Sequence, residues 1–173
     1  SFIKLGQSLA TRADLIGDQA ADDLSALQDR LQPFPAAQAR EILEAELDRP
    51  LGELFAQFDA EPVAAASIAQ VHRARTPEGI DVAVKILRPD IEERFARDLD
   101  LFEWIAETME WAAPWTERFR PVETVRLFRQ TVEVEMDLRF EAAAAAELAE
   151  NFVGDPGFRI SEVDWSRTTG RVM

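Results

Sequence analysis

The chain has 173 residues, 47% of them hydrophobic and 30% charged, enough to bury a substantial core in one or two small domains. Lys and Arg number 19 against 33 Asp and Glu, a net charge of −14 that opposes nucleic acid and disfavours an anionic membrane, where only a local basic patch or an apolar helix would dock. Cysteine is absent, which excludes disulfides and thiolate metal sites; no stretch reaches the roughly 18 uninterrupted apolar residues of a spanning helix, and the first residues do not form a signal peptide.

Ile3, Leu5, Leu9 and Ile16 have helical spacing, with Gly17-Asp18 as the stop. A second amphipathic stretch spans residues 20–31 through Leu24, Leu27 and Leu31, and Pro33-Phe34-Pro35 breaks it. A third helix is predicted over residues 36–47, and Pro50 suits the first position of a short fourth helix carrying Leu51, Leu54 and Phe55. Residues 1–57 thus read as a helical extension, and residues 58–173 as a second region of different texture. That change comes at Phe58-Asp59-Ala60, where alanine and β-branched residues replace helical periodicity. Strands over residues 67–75 and 80–87 flank Thr76-Pro77-Glu78-Gly79, the turn of an antiparallel hairpin.

Arg88-Pro89 ends the second strand. Residues 90–113 read as a long helix with Ile91, Phe95, Leu99, Phe102, Ile105 and Met109 on one side, stopped by Pro114. Another long helix is predicted from about Pro121 to Asn151; its five alanines at 142–146 favour helix and close packing. Gly154-Asp155-Pro156-Gly157 follows, then two short strand candidates, residues 158–161 and 170–173. With Ser1 in first place and an apolar strand starting at Arg171-Val172-Met173, the sequence reads as an excised fragment without internal repeats.

Val82-Ala83-Val84-Lys85 puts one lysine on an apolar, β-branched strand, which would aim a fixed positive charge at phosphate oxygens. The plainer reading is an edge strand blunted by lysine. A lysine used on phosphate needs a carboxylate to hold it, since a lone ammonium on a flexible stem aims poorly. Asp137 and Glu141 lie four apart and share a face if the helix is regular, Glu135 points elsewhere, and Glu141 is the candidate partner. The competing reading is a solvated acidic helix face.

These residues resemble the UbiB, or AarF-domain, family of atypical protein-kinase-like proteins. Lys4-Leu5-Gly6-Gln7 is similar to its KxGQ motif, and Ala64-Ala65-Ala66-Ser67, followed by Ile68-Ala69-Gln70-Val71-His72, to its alanine-rich nucleotide loop. Val82-Ala83-Val84-Lys85 with Arg88-Pro89 resembles its lysine strand, and Glu135-Met136-Asp137 its ExD motif, with Glu141 in the place of the lysine's salt-bridge partner. The resemblance implies an α+β protein-kinase-like N-terminal lobe: a small antiparallel sheet and a carboxylate-bearing helix, with family-specific N-terminal and inserted helices. It implies ATP or ADP as ligand, held by Ala64, Ala65, Ala66, Ser67 and Lys85, with Lys85 and Glu141 as the catalytic pair. Lys4, Gly6 and Gln7 would form a regulatory helix over the cleft, with Lys4 meeting the acids Glu135 and Asp137.

The family's C-terminal lobe carries the catalytic aspartate and the metal ligands, so Mg²⁺ is expected only with that lobe, no metal ligand is assigned here, and the fragment alone is not expected to transfer phosphoryl groups. The implied role is the nucleotide-binding half of a kinase or ATPase that supports ubiquinone biosynthesis, its parent cytoplasmic or peripheral or integral at the inner membrane. Its implied partners are quinone-biosynthesis proteins and a lipid or membrane surface, not nucleic acid. The alternative is a non-catalytic, pseudokinase-like scaffold for lipid-biosynthesis proteins. Alanine in the loop, where ordinary kinases carry glycine, restricts φ and the approach of backbone to phosphate. His72 has no second His or Cys nearby and reads as structural rather than metal-binding. Trp104, Trp111 and Trp115 have the near-helical spacing of packing residues. The acids of residues 90–100 read as a solvent face, on a helix whose apolar side could meet a partner or lipid surface.

Overall fold

The structure is a computed structural model that describes Gln19 and residues 32–173. The helices predicted over residues 1–31 lie outside the described residues. In chain order come α1 (Ala36–Leu47), α2 (Leu51–Leu54), β1 (Gln57–Phe58), β2 (Ala64–Ala65), β3 (Ala69–Arg75) and β4 (Asp81–Leu87). Then follow α3 (Ile91–Ala112), a 3-10 helix (Pro114–Phe119), α4 (Pro121–Glu135), α5 (Leu138–Asn151) and a 3-10 turn (Trp165–Arg167). The described residues divide into two compact units, one of residues 33–89 and 133–173, the other containing residues 90–132.

The first of these units is built on β3. It pairs antiparallel with β4 along one edge and with both β1 and β2 along the other. Gly79, at φ +86°, closes the β3–β4 turn, its N–H donating to the Thr76 carbonyl over 2.9 Å. The hairpin is the one predicted, with strands starting two residues and one residue later than expected. Strands β1 and β2, at two residues each, are too short to leave a periodic signal and were not anticipated. Residues 158–161 are not a strand, whereas Val172 forms a single bridge to Ile86 and Met173 exchanges two backbone hydrogen bonds with Lys85.

Helix α1 has the predicted bounds: Pro35 starts it, and Asp48 in the left-handed region ends it. Ala39, Ile42 and Leu43 form its buried stripe. The stripe packs with Phe34, Leu54 and Phe55 against the even-numbered face of the sheet, which presents Ala74, Val84, Ile86 and Val172. Two polar side chains share that face. Gln70 and His72 are fully buried. Gln70 Oε1 accepts the Phe34 N–H (3.0 Å), which aims its Nε2 at His72 Nε2 (2.8 Å). His72 Nε2 is therefore an acceptor, and its Nδ1–H donates to the Asp59 carbonyl (2.8 Å) while Phe58 stacks on the ring. The chain tethers the segment before α1 and the segment after β1 to the central strand.

In the other unit, α3 buries Ile91, Phe95, Leu99 and Ala106. Ile105 and Met109, expected on that buried side, are exposed. So are Trp104, Trp111 and Trp115, at 61%, 84% and 67%, which overturns their reading as packing residues. The buried stripe is narrower than the apolar content of the helix. Antiparallel to α3 runs α4, with Arg126 bonded to Glu103 (2.9 Å) and Arg129 to Asp100 (2.8 Å) and Glu103 (3.2 Å). No helix among the described residues is long and apolar enough to cross a membrane.

His72→Ala is expected to destabilise the fold by about 2–4 kcal/mol, since it leaves a cavity and strips partners from the Gln70 amide and the Asp59 carbonyl. Urea denaturation measures this; a loss below about 0.5 kcal/mol, the range of an ordinary surface change, would show that the network is dispensable.

Candidate functional site

Alternation along β4 decides where its lysine goes. Val84 and Ile86 face the core, so Lys85 and Ala83 project from the opposite face. Register then places Lys85 beside Val71, and Val71 beside Ala64, so that Ala64, Val71 and Lys85 form one row across three strands. At about 4.8 Å per strand, the ends of this row are about 10 Å apart.

Residues 64–67 are half strand, which refines their reading as a loop. Ala64 and Ala65 belong to β2, the Ala66 N–H is used on the Ala69 carbonyl (2.8 Å), and the Ala66 carbonyl accepts from Arg88 Nε (3.0 Å). The Arg88 N–H donates to the Ile68 carbonyl (2.8 Å), so Arg88 pins both ends of the turn that contains Ser67.

The predicted single helix over residues 121–151 is two helices. The break is at Met136-Asp137, because Asp137, in extended geometry, caps α5 by accepting the Arg139 N–H (3.0 Å) and binds the Arg139 guanidinium as well. An Asp directly before an apolar residue, with Glu141 in the next turn, is the sequence signal of a helix start inside this run. Glu135 is the last residue of α4, so the two acids of Glu135-Met136-Asp137 belong to different elements. Lys4, Gly6 and Gln7, and with them the expected pairing of Lys4 with these acids, lie outside the described residues.

With α5 starting afresh, Leu138 and Ala142 are buried, and Glu141 in the first turn reaches the sheet. Both of its carboxylate oxygens lie 2.6 Å from Lys85 Nζ. The pair is half-exposed, with the Lys85 side chain at 29% and Glu141 at 51%. An ion pair in that setting adds under about 1 kcal/mol to stability. What it fixes is direction: an ammonium has three N–H donors, Glu141 takes two, and one remains for a ligand.

Beside the pair runs a groove of about 590 Å³. It follows the outer edge of β4, because residues of both faces, Val82 and Val84 as well as Ala83 and Lys85, line it. Arg159, Glu162 and Asp164 also line it. Sequence patterning did not single them out; it read residues 158–161 only as a short strand candidate. His72 is buried on the core side with both ring nitrogens engaged by Gln70 and the Asp59 carbonyl, and no cluster of His, Cys, Asp and Glu fit for a metal ion occurs among the described residues.

The Arg139 guanidinium bonded to Asp137 holds that carboxyl below its ordinary value of 3.8. A lowered folded-state value stabilises the fold above the unfolded group's pKa, and the contribution is lost as pH falls through the folded value. Asp137→Ala is therefore expected to cost about 1 kcal/mol at pH 7 through the lost cap, with a smaller difference from wild type below about pH 4. Denaturation curves at both pH values test this, and an equal loss at both would exclude an ionised cap.

A profile of the ABC1 atypical kinase-like domain matches residues 26–173. A probable protein kinase UbiB of Marinobacter nauticus is 45% identical over 174 residues, covering 99% of this chain and 31% of the relative. A probable protein kinase UbiB of Pseudomonas putida is 42% identical over 172 residues, covering 99% and 32%. The chain thus spans about a third of the length of these curated relatives. Among solved structures, the Mycobacterium tuberculosis protein Rv3197, in complex with erythromycin, superposes with a TM-score of 0.70 at 28% identity, covering 97% of this chain and 41% of that one. The α+β fold, with its small antiparallel sheet and its carboxylate-bearing helix, is kinase-like, and the chain belongs to the ABC1 atypical kinase-like family, in which these relatives carry the name UbiB.

Proposed function

We propose that this chain is the nucleotide-binding half of an atypical kinase or ATPase of the UbiB family that supports ubiquinone biosynthesis. The observation that carries the reading is the Lys85–Glu141 ion pair, 2.6 Å to each carboxylate oxygen, on the open face of the sheet. Phosphoryl transfer asks little covalent chemistry of a protein; it asks for position and for charge where charge develops. Glu141 holds the ammonium over the β2–β4 row, and the remaining N–H of Lys85 is aimed at the α- and β-phosphates of ATP or ADP.

Residues 64–67 cover those phosphates. With the Ala66 N–H already used on Ala69, this segment offers fewer backbone donors than a glycine-rich loop, and each Cβ holds the backbone further off. The charge of Lys85 carries correspondingly more of the phosphate recognition. Mg²⁺ is supplied with ligands from a C-terminal lobe, and the helix bearing Lys4, Gly6 and Gln7 limits entry to the cleft, with Glu135 and Asp137 as its counterparts. Residues 1–57 form the regulatory extension and residues 58–173 the kinase-like lobe. Quinone-biosynthesis proteins and a lipid surface at the inner membrane are the partners.

In the full-length protein, Lys85→Ala is expected to lower ATP turnover on the order of 10²-fold or more while leaving the fold intact. Turnover equal to wild type in that variant, with an unchanged melting curve, would refute the assignment and favour a scaffold. Ala65→Gly is expected to shift the relative affinities for ATP and ADP, as read by calorimetric titration; superimposable isotherms for variant and wild type would remove the loop from phosphate recognition.

A further inference from the structure

The groove beside β4 is held near both ends of that strand, and by different bonds. At one end the Arg171 carbonyl accepts the Leu87 N–H (3.0 Å) and Met173 exchanges backbone hydrogen bonds with Lys85, where this pairing stops. From Lys85 back to Asp81, about 13 Å of strand, β4 lines the groove and its outer edge has no strand partner among the described residues. Just before Asp81 the hairpin turn is caught by a side chain: Arg167 Nη2 lies 3.4 and 3.3 Å from the two carboxylate oxygens of Glu78. All of these residues belong to the unit of residues 33–89 and 133–173.

Arg167 is itself firmly placed. Its side chain is only 14% exposed, and its Nη1 donates to the Asp164 carboxylate. That carboxylate also accepts the Ser166 N–H (3.0 Å) and hydroxyl (2.6 Å), while the Thr168 hydroxyl donates to the Asp164 carbonyl (2.7 Å). Asp164 and Arg167 line the groove, and Glu78 does not. Stability alone is a poor reason for this arrangement. Arg167 Nε is buried without a partner, a cost that an apolar side chain would not carry, and Glu78 is 60% exposed, where an ion pair adds little. What the pair does provide is a fixed spacing between the hairpin and the turn that holds Asp164.

We propose that Arg167 is a positioning residue for the nucleotide: bound to Asp164 and to Glu78, it sets how far the unpaired edge of β4 stands from residues 159–164. The inference rests on the reading of this groove as the nucleotide site, and adds that its width is set by a charge pair whose carboxylate lies outside it. Arg167 acts through the groove's sides rather than on the reacting atoms. Width matters because contacts are short-ranged; a gap of about 0.5–1 Å forfeits a quarter to a half of a dispersion contact.

The test is made in the full-length protein, with ATP and ADP affinities read by calorimetric titration beside melting curves. Glu78→Gln keeps the shape of an exposed side chain and removes its charge, so it is expected to raise both Kd values at least about threefold with an unchanged melting curve. In turnover, KM is expected to rise by the same factor and kcat to stay, as when binding common to ground and transition state is lost. Arg167→Gln is expected to weaken binding at least as much, and the double variant no more than Arg167→Gln alone, since both remove one shared contact. A wild-type Kd in Glu78→Gln would overturn the proposal, as would effects that add in the double variant or that appear only with a lowered Tm. Lys85→Ala separates the inference from the reading beneath it. Lost turnover in Lys85→Ala beside a wild-type Kd in Glu78→Gln sinks the inference alone; wild-type turnover in Lys85→Ala sinks the nucleotide reading and the inference with it.

Discussion

The register of β3 against its three partners is the constraint on which the site depends. Odd residues of β3 send their backbone groups to one edge, where Val71 accepts from Val63, Arg73 from Asp59 and Arg75 from Ala56. Even residues bond β4, and the odd residues of β4 then point away from β3, which is where Lys85 and Leu87 meet Met173 and Arg171. A slip of one residue would turn Lys85 into the cluster formed by Phe55, Val84 and Ile86 and bring Val84 to the surface. Such a slip would also bury an ammonium without a carboxylate, at a cost of several kcal/mol. The apolar face and the charged face therefore specify the same register.

Gln70 and His72 add a second check on that register. Both sit on the core face, and their donors and acceptors match only the Phe34 backbone and the Asp59 carbonyl. A shifted strand would leave them buried without those partners, which disfavours the alternative more strongly than the hydrogen bonds favour the native pairing. Nearby ion pairs contribute differently. Arg75–Asp81 is more than half exposed and Lys85–Glu141 is partly exposed, so their value lies in orientation rather than in stability.

The legibility of the sequence followed the length and closure of each element. Residues 69–87 were readable because a β-branched run, a Pro/Gly turn and a second run state both strand and partner locally. Helix α1 was readable because a proline pair bounds it at the start. The break at Asp137 was not, since helix propensity remains high on both sides of it and the decision rests on one side chain capping a backbone N–H. The tryptophans of α3 were misread because spacing shows that residues share a face but not whether anything covers that face. The pairing of Lys85 with Glu141 needed a long-range contact across 56 positions, and family motifs supplied what periodicity could not.

The break also explains how that long-range contact is held. Were residues 121–151 one helix, the position of Glu141 would be set by packing many residues away. With Asp137 as a cap, α5 has its own origin, and the Leu138 N–H donates to the Gly170 carbonyl over 2.8 Å. Three residues on, Met173 exchanges hydrogen bonds with Lys85 at 2.7 and 3.0 Å. A short closed circuit results: Lys85 to Met173 through backbone, Met173 to Gly170 along the chain, Gly170 to Leu138 through backbone, and Glu141 back to Lys85 through charge. Each side chain of the ion pair is thereby referred to the same few backbone atoms, so the ammonium and carboxylate hold their geometry even though water reaches both. A weak ion pair can act as a precise one when its two mounts are bonded to each other, and the C-terminal turn at Gly170 is the part of this fold that bonds them.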